Sequence, residues 1–473
     1  MCWKKRLLWL TCIGLALLRL AHMNLLWADE DYHLAAAIQT LQGKMPYRDF
    51  WYDKPPLSAF YYLLIGGHWG WPLRLLDAGY VLLACYIAYR LARDLWGEAE
   101  GRIAALLFAF YMAFYLPSAV IPFAADAVMM APHVAAIYCA QRRYAFWAGV
   151  WSGVGFLANT KAVFVLASCA VWLFPEVLAL FAGFAVVVCA GAGIAIATGA
   201  WAGYVEQVWR WGLLYAKGSP VVDPLRVAVV RTLDWLGFHA ALAVCGGFGF
   251  AAMSRSHRWK LGSWLIVSFV ALSLGGRFAP HYFLQLLPGA AIVGSRGIVV
   301  ATNHFGKRAL AAVAILLLVP LVRFGPRYAL LAFDDIEGQE PHWRDVGMDV
   351  DSRDVANKIR SLARDGDSLF VWGYRPDVYV YTRLVPAGRF SDSQPLTGVP
   401  ADRHLSATTA IYGGPAGRNR QELARTRPTF IVDGLGLLNR KLTPAVYPDL
   451  REWLAHYRVV GRTKLSVIYE RVP

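Results

Sequence analysis

VLALFAGFAVVVCAGAGIAIATGAWAGYV, residues 177–205, contains no Asp, Glu, Lys or Arg. A helix needs about 20 mostly apolar residues to cross the hydrocarbon of a bilayer. This stretch is long enough, and it does not stand alone. Residues 103–125, 127–140, 144–160, 162–175, 235–254, 261–276, 278–295 and 309–322 are equally free of charge. In lipid, only helices and closed barrels satisfy their own backbone. Runs this continuous lack the alternation of barrel strands. The expected fold class is therefore a polytopic α-helical membrane protein.

Composition agrees. Of the 473 residues, 57% are hydrophobic and 17% charged, against about a quarter charged in ordinary soluble domains. The net charge of +15 points to positive-inside loops and anionic headgroups. No aromatic-basic nucleic-acid module accompanies it, so no nucleic-acid partner is expected. The seven cysteines all precede residue 246, mostly inside apolar runs. They read as small buried hydrophobes, without metal-ligand spacing or a disulfide framework. Lys4-Lys5-Arg6 and the apolar run to Trp27 read as a retained first helix, too long for a signal peptide and lacking a small-x-small cleavage site.

Helices are expected near 7–27, 72–92, 102–119, 124–141, 144–158, 162–175, 177–200, 233–252, 261–275, 281–299 and 308–324, about eleven spans in all. The Lys/Arg distribution then sets orientation. With the N-terminus cytoplasmic, Arg90, Arg93, Arg102, Arg142, Arg143, Arg255, Arg258, Lys260, Arg296, Lys307 and Arg308 all fall inside. Loop 28–71, the Pro117–Asp126 turn, the 201–232 loop and the Gly275–His281 turn fall on the outer face. Residues 334–473 recover soluble character as a small α/β domain. Helices are expected at Asp351–Arg364, Pro376–Thr382 and Leu450–Tyr457. Strands are expected at Ser368–Gly373, Thr429–Gly434, Tyr457–Gly461 and Leu465–Arg471. The organisation is thus a transmembrane domain over 1–333 and an outer-face, periplasmic domain over 334–473.

The densest charge follows the first helix: Ala28-Asp29-Glu30-Asp31-Tyr32, then Pro46-Tyr47-Arg48-Asp49-Phe50-Trp51-Tyr52-Asp53-Lys54-Pro55-Pro56. Leu34, Ile38 and Leu41 give the intervening helix one apolar face, and Gly43 and Pro46 stop it. Such a helix is expected to lie along the membrane surface. Asp29 as an N-cap accounts for one acid, not for the second cluster of Asp49, Asp53 and Lys54. A carboxylate at headgroup depth suits a general base, worth about 10²–10⁴ in rate when within hydrogen-bond reach. If the leaving group is a lipid phosphate, cations are needed at the same depth. Lys54, Arg277 and His281 are the candidates, with Tyr282 as a hydroxyl donor.

These residues resemble the first outer loop of GT-C glycosyltransferases, above all the family 39 type that includes protein O-mannosyltransferases and the lipid A aminoarabinose transferase. The motif residues are Asp29-Glu30, Tyr32, Gly43, Pro46-Tyr47-Arg48-Asp49 and Asp53-Lys54-Pro55-Pro56-Leu57. Asp126 resembles the family's second acidic position. Gly155-Phe156-Leu157-Ala158-Asn159-Thr160-Lys161 resembles its Gly-x-x-Leu-x-x-Lys turn, and Arg277-Phe278-Ala279-Pro280-His281-Tyr282-Phe283 with Pro288 a later Arg…His-Tyr…Pro segment. The likeness runs over about residues 20–300, with the motifs in family order. It implies GT-C architecture and a sugar donor carried on a polyprenyl phosphate. Asp29 would be the base of an inverting transfer, with Glu30 and Asp126 as its companion carboxylates and Asp126 positioning substrate. Lys54, Arg277, His281, Tyr282 and Lys161 would bind the donor phosphate. Tyr32, Tyr47, Arg48, Asp49 and Asp53 would form the acceptor or substrate loop. No cofactor is required. Asp53 and His281 match positions near a metal in some relatives, but the family's chemistry generally does not depend on one. The acceptor would be a lipid, glycan or protein, met at the outer face of the cytoplasmic (inner) membrane. Two departures matter: Asp53 stands where the aminoarabinose transferases have Glu, and the soluble domain is small.

Plainer readings stand beside these. Asp126 can be an N-cap, Lys161 and Arg19 snorkelling anchors, and Arg277 and His281 interfacial residues. His133 and His239 read as packing residues. Trp372-Gly373-Tyr374-Arg375-Pro376-Asp377 and Arg389-Phe390-Ser391-Asp392 read as strand-to-helix turns. A lipid flippase or small-molecule transporter is the competing function. It predicts paired halves with interrupted helices, and the sequence has no such repeat.

Overall fold

The computed structural model describes residues 2–115, 122–218, 223–343 and 346–472, with side chains from residue 5 onward. Over their described residues the charge-free runs are mostly helical, because in an apolar setting each backbone group must find its partner within the segment. Five are long and apolar enough to cross a membrane: Trp71–Trp96, Val177–Ala197, Arg255–Gly276, Pro280–Phe305 and Lys307–Ile336. Pro224–Phe238 with Ala240–Ala251 makes a sixth if that pair is one span. Length and composition thus support fewer crossings among the described residues than the eleven expected. The other apolar segments form shorter helices, such as Cys2–Leu17, Glu98–Ala113 and Met130–Gln141. Residues 117–121 of the Pro117–Asp126 turn lie outside the described residues.

Three expectations are corrected. The helix expected over 233–252 starts at Pro224 and bends by 88° at His239. There the His239 ring stacks on Trp235 and hydrogen-bonds its carbonyl, closing the first arm locally. The expected 201–232 loop is mostly helical over its described residues, with helices at Trp201–Tyr204, Trp211–Lys217 and Pro224–Phe238. Its scattered charges hide from hydropathy an apolar contact, Trp211 against Trp51 at 6.0 Å. The last helix continues past 324 to Ile336, through Pro320 and Pro326. Its Arg327 is buried, stacks on Trp27 at 4.7 Å and meets His22 at 2.5 Å.

Glycines set the closest packing. Helices Ala145–Ala158 and Val177–Ala197 meet at Gly149 and Gly183, where an added Cβ would collide with the carbonyl oxygens of Leu180 and Phe146. Lipid supplies no hydrophobic drive between helices, so close approach through small residues takes its place.

The C-terminal chain forms a five-stranded sheet: β1 (Ser368–Trp372), β2 (Val385–Pro386), β3 (Phe430–Asp433), β4 (Tyr457–Arg462) and β5 (Val467–Arg471), in the order β2-β1-β3-β5-β4. β1 pairs in parallel with β2 and β3, and β5 is antiparallel to β3 and β4. Alternation sorts β1. Leu369 and Val371 pack on Val355 and Ile359 of helix Gly347–Leu362, whereas Phe370 and Trp372 join a core that includes Trp51 and Trp211. The second face is therefore covered by the first loop and helix Trp211–Lys217.

The surface-lying helix expected after Asp29 is corrected too. Helix Glu30–Leu41 is buried from Glu30 through Gln39. Its apolar side chains pack with Ala356, Val380 and Tyr381 of the C-terminal unit. Polar ties finish the junction. Trp51 N donates to Arg389 O at 2.7 Å, Gln39 Nε2 to Ser391 Oγ at 3.0 Å and Arg383 Nη2 to Gly67 O at 2.9 Å.

Candidate functional site

Asp29 is held at φ 76°, ψ −42°, a left-handed region that costs a non-glycine residue about 1–3 kcal/mol. Its side chain caps no helix amide. Instead Oδ1 accepts from the Tyr374 hydroxyl at 3.3 Å, a partner 345 residues away. The N-cap reading therefore fails. Glu30 has the opposite fate. It is fully buried, joined to Arg74 at 2.7 and 2.9 Å, and accepts from Phe123 N at 2.9 Å. It does not join Asp29 in the cluster.

Lys54 and Asp53 follow on the next turn of chain. Asp53 Oδ2 accepts from Trp211 Nε1 at 3.0 Å, and Lys54 Nζ stands 3.6 Å from Oδ1. Burial alone would lower the Lys54 pKa, but the carboxylates of Asp53 and Asp29 more than offset it and hold the ammonium above its usual range. Tyr32 and Tyr47 frame this turn. The Tyr32 hydroxyl accepts from Asp53 N at 3.1 Å, and the Tyr47 hydroxyl donates to Lys54 O at 2.7 Å. Tyr32 also stacks on Tyr52 and leans on Tyr374. Arg48 and Asp49 stay outside the cluster. They pair with each other at 2.7 Å on the surface, with Asp49 also accepting from Met45 N.

The remaining residues converge from helix ends. Asp126 Oδ1 accepts from Asn159 Nδ2 at 2.8 Å, and His281 Nε2 lies 3.7 Å from its other oxygen. Asn159 Oδ1 caps the Lys161 amide at 3.0 Å. The Lys161 ammonium sits over the Tyr282 ring, 2.9 Å from its centre, and has no hydrogen-bond partner although buried. Arg277 stacks on Tyr215 at 3.6 Å and donates to Asp402 at 2.8 Å. Lys54 lies in the electrostatic field of Asp29, Tyr215 and Tyr282, and Lys161 in that of Asp126 and Lys54. One cluster thus joins Asp29, Asp53, Lys54, Asp126, Lys161, Arg277, His281 and Tyr282. Among the described residues no three His, Cys, Asp or Glu side chains gather closely enough to hold a metal ion.

Three site residues escape the sequence motifs: Tyr215, Tyr374 and Asp402. Tyr374 lies in the polar-aromatic stretch first read as turn chemistry. Asp392, from the companion stretch, is also buried near the site. Burial pushes its carboxyl up to about 7, with Asp53 adding to the rise. The arrangement sets the half-buried Asp29 carboxylate among three cations, Lys54, Lys161 and Arg277, and three phenols, Tyr215, Tyr282 and Tyr374, a setting able to hold an anion.

Comparison with known proteins agrees with the motif reading. Residues 53–201 match the family model described as dolichyl-phosphate-mannose-protein mannosyltransferase. The fold is similar to that of ArnT from Cupriavidus metallidurans bound to undecaprenyl phosphate, with 14% identity, a TM-score of 0.63, and coverage of 98% of this chain and 97% of that chain. The same protein in the apo state gives 15% identity, a TM-score of 0.62, and coverage of 100% and 98%. No curated protein sequence matches the chain. The similarity thus runs over nearly the full length of both chains.

Proposed function

From a multi-pass membrane chain that has the fold of the GT-C glycosyltransferases and resembles them in its motifs, we propose a glycosyltransferase that moves a sugar from a polyprenyl-phosphate donor to a lipid, glycan or protein acceptor. The observation that carries this reading is the convergence of Asp29 with Lys54, Lys161 and Arg277 in one polar cluster beside apolar helices. Asp29 takes the proton from the acceptor hydroxyl as its oxygen attacks the anomeric carbon. The bond from that carbon to the phosphate oxygen breaks, the electron pair leaves with the phosphate, and the configuration inverts. Lys54, Arg277 and Lys161 neutralise the charge gathering on the leaving phosphate, with His281 and Tyr282 at its edge. Asp126, fixed by Asn159, orients the substrate. Glu30 acts through the fold, anchoring the residue next to Asp29. Tyr32 and Tyr47 hold the Asp53–Lys54 turn.

The transmembrane catalytic part is read as 1–333, with the N-terminus cytoplasmic. Residues 334–473 stand on the outer face of the cytoplasmic membrane. The relative crystallised with undecaprenyl phosphate supports a long prenyl phosphate as the donor's carrier. The test is turnover by purified protein with a panel of polyprenyl-phosphate sugars and crude membrane acceptors. Release of prenyl phosphate together with a new glycoside of inverted configuration is expected. Movement of intact donor across a vesicle membrane without cleavage of the sugar–phosphate bond would refute the reading in favour of a flippase.

A further inference from the structure

We infer that Asp402 is a built-in stand-in for the donor phosphate: its carboxylate occupies the Arg277 guanidinium, and the lipid's phosphate headgroup displaces it on binding. The inference rests on the reading of Arg277 as a phosphate ligand. A guanidinium presents a planar fork that fits a carboxylate or a phosphate alike, so the two anions compete for one fork.

The two partners differ in freedom. The Arg277 side chain is 10% exposed, stacked on Tyr215, and donates through Nη2 to Tyr215 O at 3.4 Å. Its Nε is buried with no partner, a spare donor. Asp402 is 47% exposed. It sits on the short turn Ala401–Arg403, which is pinned by other groups. Ala401 N donates to Gln394 Oε1 at 2.9 Å, and Arg403 donates to Gly218 O. Rotation of one short side chain therefore frees Arg277 without moving the turn.

The carboxylate beside Lys54 lacks that freedom. Asp53, beside Lys54, is 5% exposed and held by Trp211 Nε1. Asp53 is thus a fixed counterion from the first loop and Asp402 a releasable one from the C-terminal unit. The releasable one keeps Arg277 paired and oriented, and sets how much lipid phosphate is needed to claim it.

The test is binding of undecaprenyl phosphate and, separately, inorganic phosphate to the full-length protein in detergent micelles. Wild type, Asp402→Asn, Asp402→Ala and Asp402→Glu are compared. Asp402→Asn and Asp402→Ala are expected to bind undecaprenyl phosphate about two- to fivefold more tightly, the worth of a half-exposed ion pair. Asp402→Glu, which keeps the charge, should bind as wild type does. Unchanged or weaker binding in both neutral variants overturns the inference. Tightening for inorganic phosphate alone also overturns it, because the site would then serve a free anion. No undecaprenyl phosphate binding by wild type would strike the parent reading of Arg277 and the inference with it. Binding that is normal in wild type and indifferent to residue 402 strikes the inference alone.

Discussion

The core behind the first loop and the polar cluster in front of it use the same chemistry in opposite ways. In the core, Glu30 and Arg74 are both fully buried, and Glu30 also accepts from a backbone amide. In the cluster, Asp29 receives one hydroxyl at 3.3 Å, the Lys161 ammonium has no hydrogen-bond partner, and Arg277 leans on a half-exposed Asp402. A buried pair contributes through completeness: break one partner and the other is stranded. A site needs the reverse, charged groups left under-partnered until a ligand arrives. Neighbours in the chain fall on opposite sides of this divide, so adjacency of Asp29 and Glu30 says nothing about a shared role.

Four variants test that division. Asp29→Asn is the sharpest, with a fall in transfer of about 10²–10⁴. Its donor binding and thermal unfolding in detergent should stay close to wild type. A normal kcat would remove the base assignment. Glu30→Gln should instead act on the fold, costing about 3–5 kcal/mol because Arg74 keeps its charge without its counterion. Thermal unfolding reads this directly, and an unchanged midpoint would dissolve the contrast between the two acids.

Asp392 gives a pH-dependent version. Burial raises its folded pKa to about 7 from a reference of 3.8. Its protonated form is therefore favoured in the fold. The resulting stability is fully present below about pH 4 and is lost as pH rises through about 7. Asp392→Asn should flatten unfolding temperature against pH in that window, an effect on the order of a few kcal/mol. A profile that keeps its slope would place the titration elsewhere. Tyr374→Phe is the mildest. Loss of one hydroxyl on Asp29 should cost about 1 kcal/mol, read as a modest drop in kcat with donor affinity unchanged. A change confined to affinity would detach Tyr374 from Asp29.

Much of this was legible in the residues. Uninterrupted apolar runs such as 177–205 dictate helices, and the α/β pattern after residue 334 emerges in four strands with ends shifted by a residue or two, though β2 and helix Gly413–Leu423 were not foreseen. The first-loop acids and Lys54, Asp126, Lys161, Arg277 and His281 were visible as charges at the ends of apolar runs. What was hidden depends on long-range packing. Hydropathy sees Glu30 and Asp29 as equals, since only the fold brings Arg74 to one of them. It reads 201–232 as loop because Glu206, Arg210 and Lys217 interrupt the apolar pattern, although Trp211 is buried. Tyr374 and Asp402 join the cluster only because the sheet docks on Trp51 and Trp211. No local spacing encodes that docking. The bend at His239 is equally silent, since nothing in a charge-free run marks where its axis turns.

The hydrogen bond from Tyr374 to Asp29 spans 345 residues of chain, and that separation is also an interval of time. At synthesis rates of about 5–20 residues per second, the two are made tens of seconds apart. Throughout that interval the early helices can already be seated in lipid while Asp29 still waits for its hydroxyl. A nascent or truncated chain lacking residue 374 would therefore carry its acidic loop with the Asp29 contact unmade. The Tyr374–Asp29 contact can form only once the C-terminal stretch carrying Tyr374 has been made.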